Sequence, residues 1–152
     1  MEKNDKIVLA SSRSMRISLE SIRTGRAGLD ARRKRILEKI PNPGDDAVFP
    51  LGTVDLKDLA YLTAKTRDEF AILRGKDKEI VFHGTPYECA ILDKYEDKLK
   101  SHKLELFGHS HPGEPIPAAS PDDRRFLRYI GQKKSIVVSG MTGICAEFYD
   151  TI

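Results

Sequence analysis

The strongest constraint on the fold is a pattern that occurs twice: two short apolar runs joined by a tight turn. Residues 69–74 and 79–83 (Glu-Phe-Ala-Ile-Leu-Arg and Glu-Ile-Val-Phe-His) flank Gly75-Lys76-Asp77-Lys78, and residues 135–140 and 143–149 flank Met141-Thr142. Runs of five or six residues rich in branched and aromatic side chains, split by a short turn, read as β-hairpins. Helical patterns lie between and before them. Residues 87–102 set Tyr87, Ala90, Ile91, Leu92, Tyr95 and Leu99 among charges, an amphipathic helix, and residues 55–62 fit a short one. Residues 104–108 alternate as a strand that ends at His109-Ser110-His111. Ser120-Pro121-Asp122-Asp123 follows the rules of a helix start, with a hydroxyl cap, proline in the first turn and acids at the positive end. That helix should run through Phe126, Leu127, Tyr129 and Ile130 to Gly131. Interleaved strands and helices predict an α/β (α+β) domain over residues 47–152, with antiparallel pairing at the hairpins.

The first 46 residues differ in character. Residues 1–40 hold 11 Lys/Arg against 5 Asp/Glu, a net of +6, whereas the remainder carries 15 against 18, a net of −3. Ile17, Leu19 and Ile22, then Ile36, Leu37 and Ile40, sit at helix-compatible spacing, interrupted by Gly25 and Gly28. Residues 1–46 therefore read as a basic helical arm, loosely attached, closed by the linker-like Pro41-Asn42-Pro43-Gly44-Asp45-Asp46. Such an arm could touch nucleic acid or an acidic partner, but a solvated face or docking element is the favoured reading. The whole chain, at a formal charge of +3, does not have the balance of a nucleic-acid binder.

Cys89 and Cys145 have no nearby second cysteine, which argues against a thiolate metal site and for two free thiols in a reducing compartment. Residues 7–10 are too short for the apolar core of a secretory signal, and no run is long enough to span a bilayer. The expectation is a soluble, cytoplasmic protein.

The chemistry concentrates at residues 108–123. Two histidines one residue apart on a strand point to the same side, so both imidazoles of His109 and His111 can reach one cation. Gly108 before and Pro112 after place them at a strand end, where a cleft can form. A catalytic zinc takes three protein ligands and leaves one position open. Asp122 and Asp123, on the first turn of the following helix, are the nearest third donors. Nitrogen and oxygen donors of this kind suit Zn2+ and related divalent metals. His83 and His102 are expected to be surface residues.

These residues resemble the signature of the JAMM (MPN+, JAB-domain) zinc metalloproteases: an upstream Glu, then H-[ST]-H-P, a loop and S-x-x-D. His109-Ser110-His111-Pro112 and Ser120-Pro121-Asp122-Asp123 match it, and the Pro-rich loop is similar to the family's bacterial or phage-type branch. The likeness covers roughly residues 66–150. The loop of residues 112–119 is one residue longer than the family's usual spacing. Aligning on S-x-x-D selects Ser120 and Asp123; counting strictly selects Ala119 and Asp122. The first alignment is preferred, because loops absorb an insertion cheaply, and Asp122 stays as the fallback ligand. Glu69, opening Glu69-Phe70-Ala71-Ile72-Leu73, matches the form of the upstream segment; Glu79, Glu88 and Glu105 are the other acids considered, and Glu105 shares the parity of His109.

The resemblance implies a JAMM/cytidine-deaminase-like mixed β-sheet flanked by helices, with zinc on His109, His111 and Asp123. It implies Glu69 as general base and then acid, and Ser120 as hydrogen-bond donor to the oxyanion. The implied reaction is hydrolysis of a peptide or isopeptide bond in a protein or peptide substrate, including one on a ubiquitin-like tail. The rival readings are a non-catalytic scaffold of the same fold and a nucleic-acid-associated protein that binds through the basic arm.

Overall fold

The computed structural model describes residues 6–8 and 19–151; the remaining terminal residues, including Ile17 of the expected arm helix, lie outside the described residues. The strands are β1 (Lys6–Val8), β2 (Asp46–Pro50), β3 (Phe70–Arg74), β4 (Lys78–His83), β5 (Glu105–His111), β6 (Lys134–Ser139) and β7 (Cys145–Tyr149). A helical stretch at 19–23 precedes α1 (Ala31–Lys39), α2 (Leu56–Thr66), α3 (Leu92–Lys100) and α4 (Pro121–Ile130). The strands form one seven-stranded mixed sheet in the order β1-β7-β6-β5-β3-β4-β2. Both expected hairpins are present, β3 with β4 and β6 with β7, each antiparallel. The one parallel pair is β5 with β6, joined through α4.

Two apolar clusters sandwich the sheet, and period-two alternation feeds both. Phe70 and Ile72 enter one cluster with Leu59 and Leu62 of α2, whereas Ala71 and Leu73 enter the other with Leu99 of α3 and Leu127 of α4. β3 reads as a continuous apolar run because it is covered on both faces. The helix starts are capped as their sequences dictate. Asp55 and Asp58 exchange capping-box bonds at α2, and Ser120 and Asp123 do the same at α4, which Gly131 closes at φ 74°.

The basic arm is not loosely attached from residue 19 onward. Leu19, Ile22, Ile36 and Ile40 are buried in the same cluster as Val54 and Leu59. Fully burying one such side chain is worth about 1.5–3 kcal/mol, so the four together contribute roughly 6–12 kcal/mol toward holding this segment on the domain. Arg32 and Arg33 also reach the buried Asp58 carboxylate at 2.7 and 2.8 Å. The arm's charge excess masks this apolar stripe in the sequence.

β5 ends at His111, with both histidines on the strand as expected. Two local expectations shift. α3 begins at Leu92 rather than 87, leaving Tyr87 88% exposed on a preceding loop. His83 is buried, not superficial: its Nδ1–H donates to the Ile40 carbonyl and its Nε2 meets Asp68 Oδ2, both at 2.7 Å, with the ring stacked on Phe70. The imidazole thereby ties the end of the arm to the segment that leads into β3. His102 is exposed as expected. Both cysteines are free, Cys145 buried and Cys89 half-buried, and no helix among the described residues is long and apolar enough to cross a membrane.

Candidate metal centre

β5 delivers His109 and His111 to one face, and their Nε2 atoms lie 3.2 Å apart. The first turn of α4 delivers Asp123 to the same point: Oδ1 is 3.2 Å from His109 Nε2 and Oδ2 is 3.3 Å from His111 Nε2. Donors around a tetrahedral ion at zinc–nitrogen or zinc–oxygen bond lengths stand about 3.3 Å from one another. Each imidazole nitrogen faces a different oxygen of the one carboxylate, and one donor atom from each of the three side chains lies within 4.8 Å of the others, close enough to share an ion; two imidazole nitrogens with one carboxylate are a donor set that suits zinc.

The helix cap aims the carboxylate. Ser120 Oγ accepts from the Asp123 N–H at 3.0 Å, and Asp123 Oδ2 accepts from the Ser120 N–H at 2.9 Å. Asp122, by contrast, is turned outward to Arg125, with 84% of its side chain exposed. The structure thus brings Asp123, not Asp122, to the histidines. Ser120 sits at the rim of the same cleft, and the cap uses its oxygen as acceptor while leaving its hydroxyl proton uncommitted.

The opposite face of β5 anchors the pair. Between the histidines, Ser110 turns away and lies 2.6 Å from Thr63 Oγ1, which donates to the Asp68 carbonyl; Ser110 Oγ also accepts from the Phe70 N–H at 2.9 Å. These bonds lock β5 to α2 and to the first residue of β3, next to Glu69. Gly108 lets α2 come close: a Cβ there would stand 2.5 Å from Leu56 Cδ2 and 3.1 Å from the Ile136 carbonyl oxygen.

Sequence reasoning missed one residue of the site. Glu114, in the loop after Pro112, places Oε1 2.8 Å from His111 Nδ1. A carboxylate on the far nitrogen of a ligating histidine fixes its orientation and raises its basicity. The only sequence signal is its place three residues after His111 in a loop otherwise read for its prolines. The loop is held in turn by Ser139 and Thr142 hydroxyls donating to the Glu114 and Pro115 carbonyls. His109 Nδ1 is buried without a hydrogen-bond partner.

Electrostatically the cluster behaves as a cation trap. Burial works against the charged form of His111, but the Asp123 and Glu114 carboxylates outweigh it and raise its pKa to about 9. Burial likewise opposes the charged form of Asp123, yet the two imidazoles hold its carboxyl far below the usual range. The metal-free site therefore holds a proton where a metal cation fits.

Glu69 precedes β3 and lines the same cleft, which has a volume of about 790 Å3. Its main chain is fixed by bonds to Thr85 and Gly84 at 2.8 and 2.7 Å. Burial raises its pKa to about 7, with the His109 and His111 charges pulling the other way. Glu105 is excluded. A bulge in the β3–β5 ladder pairs Ile72 with Gly108 but Leu73 with Leu106, so Phe107 is the extra residue and the parity of β5 inverts there. Leu106, not Glu105, lies under His109 in the cleft, beside Ile91, Phe126 and Phe148. Glu105 is exposed at the other end of the strand, and Glu79 is buried elsewhere, accepting from the Gly52 and Val54 N–H groups. Glu88 is on the cleft rim.

No family model matches this chain, and neither curated proteins nor solved structures give a match.

Proposed function

We propose that the protein is a zinc-dependent hydrolase of peptide or isopeptide bonds, with His109, His111 and Asp123 holding the metal. The observation that carries this reading is the convergence of His109, His111 and Asp123, with donor atoms within 4.8 Å of one another, in a cleft that also contains Glu69. Zinc in such a position supplies Lewis acidity, lowering the pKa of water at the open position and polarising a carbonyl. Glu69, whose pKa near 7 suits proton transfer in both directions, takes a proton from the attacking water and returns it to the departing amine. The Ser120 hydroxyl donates to the oxygen that becomes negative in the tetrahedral transition state. Asp123 and Glu114 keep the two imidazoles aligned. The amide substrate, a peptide or an isopeptide on a ubiquitin-like tail, follows from the resemblance to JAMM proteases rather than from the donors. Two free thiols support a reducing, cytoplasmic location.

The test is metal content followed by turnover. Wild-type protein supplemented with zinc should hold about one ion per chain, Asp123→Asn and His109→Ala should lose it, and Asp122→Asn should keep it. Glu69→Gln should retain zinc and lose hydrolysis of fluorogenic peptide and isopeptide substrates. Wild-type protein that stays metal-free, or Glu69→Gln protein that turns over normally, would overturn the reading.

A further inference from the structure

The end of the sheet remote from the histidines carries a second depression with a different chemistry. Three connections converge there: the β3–β4 turn, the α3–β5 link and the α4–β6 link, around a basin of about 780 Å3. Glu105 and His111 are opposite ends of β5, so the basin is about 20 Å from the metal centre at the usual strand rise. Lysines come from all three sides: Lys76 with Lys78 at the start of β4, Lys98 in the last turn of α3 with Lys103 after it, and Lys133 between α4 and β6. None of the five has an ion-pair partner among the described residues, whereas Lys94 and Lys100 on the same helix do. Arg74, also at the basin, is spoken for by Glu79 and the Phe107 ring.

Five lysines face two carboxylates, Asp77 and Glu105, a net of +3. Lysines often collect at helix C-termini, and α3 and α4 both end here. Each helix end supplies only about half a negative charge, so the dipoles do not absorb the excess. A concentration of like charge in one hollow is unfavourable without a counter-charge. His102, in the left-handed region at φ 62°, is the residue that ends α3: its N–H donates to the Leu99 carbonyl and those of Lys103 and Leu104 donate to the Lys98 carbonyl, which sets its ring beside Gly131, where a Cβ would stand 3.5 Å from Nε2.

The lining also says what kind of anion fits. The only apolar side chain in it is Leu104, itself buried, so a protein partner would find no apolar centre to pack against. Point-charge donors on flexible stems, open to solvent, suit phosphates spaced along a strand, while Arg74 and Gln132 are already engaged by Glu79 and by main-chain groups of Leu106 and Lys134. We propose that this basin binds the phosphate backbone of a nucleic-acid strand without regard to sequence. The site does not depend on the metal centre.

The experiment is fluorescence anisotropy of the full chain with a labelled single strand of about twenty nucleotides, titrated at several salt concentrations. Neutralising about three phosphates predicts a slope of log affinity against log salt of about −2 for a single strand. Lys98→Glu with Lys103→Glu should lower affinity at low salt by about thirtyfold or more and flatten the slope. Lys34→Glu with Arg35→Glu, an equal charge change on the exposed face of α1, should leave both unchanged, and so should His109→Ala. The proposal is overturned if wild type does not bind, if the α1 variant loses as much as the basin variant, or if a glutamate homopolymer of equal length binds as tightly. Equal affinity for ATP alone would also overturn it, by assigning the basin to free nucleotides.

Discussion

Ser120 caps α4 and, in the proposed mechanism, also donates to the oxyanion, two roles that ordinary mutagenesis would confuse. Its oxygen caps α4 by accepting from the Asp123 N–H, and its uncommitted proton is available to an oxyanion in the cleft. Alanine removes both. Loss of a serine cap costs about 1 kcal/mol, which for a chain of this size lowers Tm by roughly 2–4 °C. Loss of one oxyanion donor costs about 100- to 1,000-fold in kcat. Glycine splits the two, because as an N-cap it costs only a few tenths of a kcal/mol and carries no hydroxyl. The ligand itself should stay aimed in both variants, since the bond from the residue 120 N–H to Asp123 Oδ2 is made by backbone. Ser120→Gly should therefore keep its Tm within about 1 °C, keep zinc, and lose kcat as fully as Ser120→Ala. Ser120→Thr should recover all three properties. The measurements are a thermal melt, competitive zinc chelation and initial rates on a peptide substrate. Full kcat in Ser120→Gly would refute the donor role and leave Ser120 as a helix cap alone.

Other outcomes follow from the same geometry. Glu114→Gln should weaken zinc binding by about 10- to 100-fold, as loss of a partner on a ligating histidine does, with Tm of the metal-free protein little changed; equal affinity in a chelator competition would remove Glu114 from the site. The pH dependence has a definite sign. His111 in the metal-free protein has a pKa raised from 6.5 to about 9, so its contribution to stability is complete below about pH 6.5 and lost as pH rises through about 9. Zinc must displace that proton, so apparent affinity should climb by up to tenfold per pH unit over the same window and level off above it. Melts of metal-free protein and zinc titrations across pH 6–9 should move in opposite directions, and parallel trends would contradict the assignment. Gly108→Ala should destabilise by about 1–3 kcal/mol, because Leu56 can swing aside but the Ile136 carbonyl cannot; an unchanged melt would show that β5 and β6 have more room than their spacing indicates.

What the sequence revealed and what it hid divide along physical lines. Hairpins and caps depend on neighbours in the chain, so the β3–β4 and β6–β7 pairs and the start and stop of α4 were legible from Gly75, Ser120, Pro121 and Gly131. The parallel β5–β6 pair is set by packing of α4 against the sheet and leaves no local mark. The arm misled because a stripe of four apolar residues among eleven basic ones shows its charge first. The burial of His83 leaves no local sign, because nothing in Phe-His-Gly reveals that Asp68 and the Ile40 carbonyl meet its two nitrogens.

The bulge at Phe107 is the most instructive failure. The parity rule that correctly placed His109 beside His111 also placed Glu105 beneath them, and one inserted residue breaks the rule between 106 and 108. Its consequence is chemical, because it gives the cleft an apolar floor where straight alternation would put a further carboxylate beneath the histidines. Such a carboxylate would compete with Asp123 for the cation and add repulsion to Glu69. The ordinary helix-start reading of Ser-Pro-Asp-Asp and its ligand reading turn out not to be rivals. The cap bonds that begin α4 are the bonds that point Asp123 at His109 and His111, so local folding rules place the third donor without any further device. That economy also explains why an extra residue in the loop of 112–119 is tolerable. Loop length sets where the chain wanders, whereas the register of Asp123 is set from its own N-cap, three residues away.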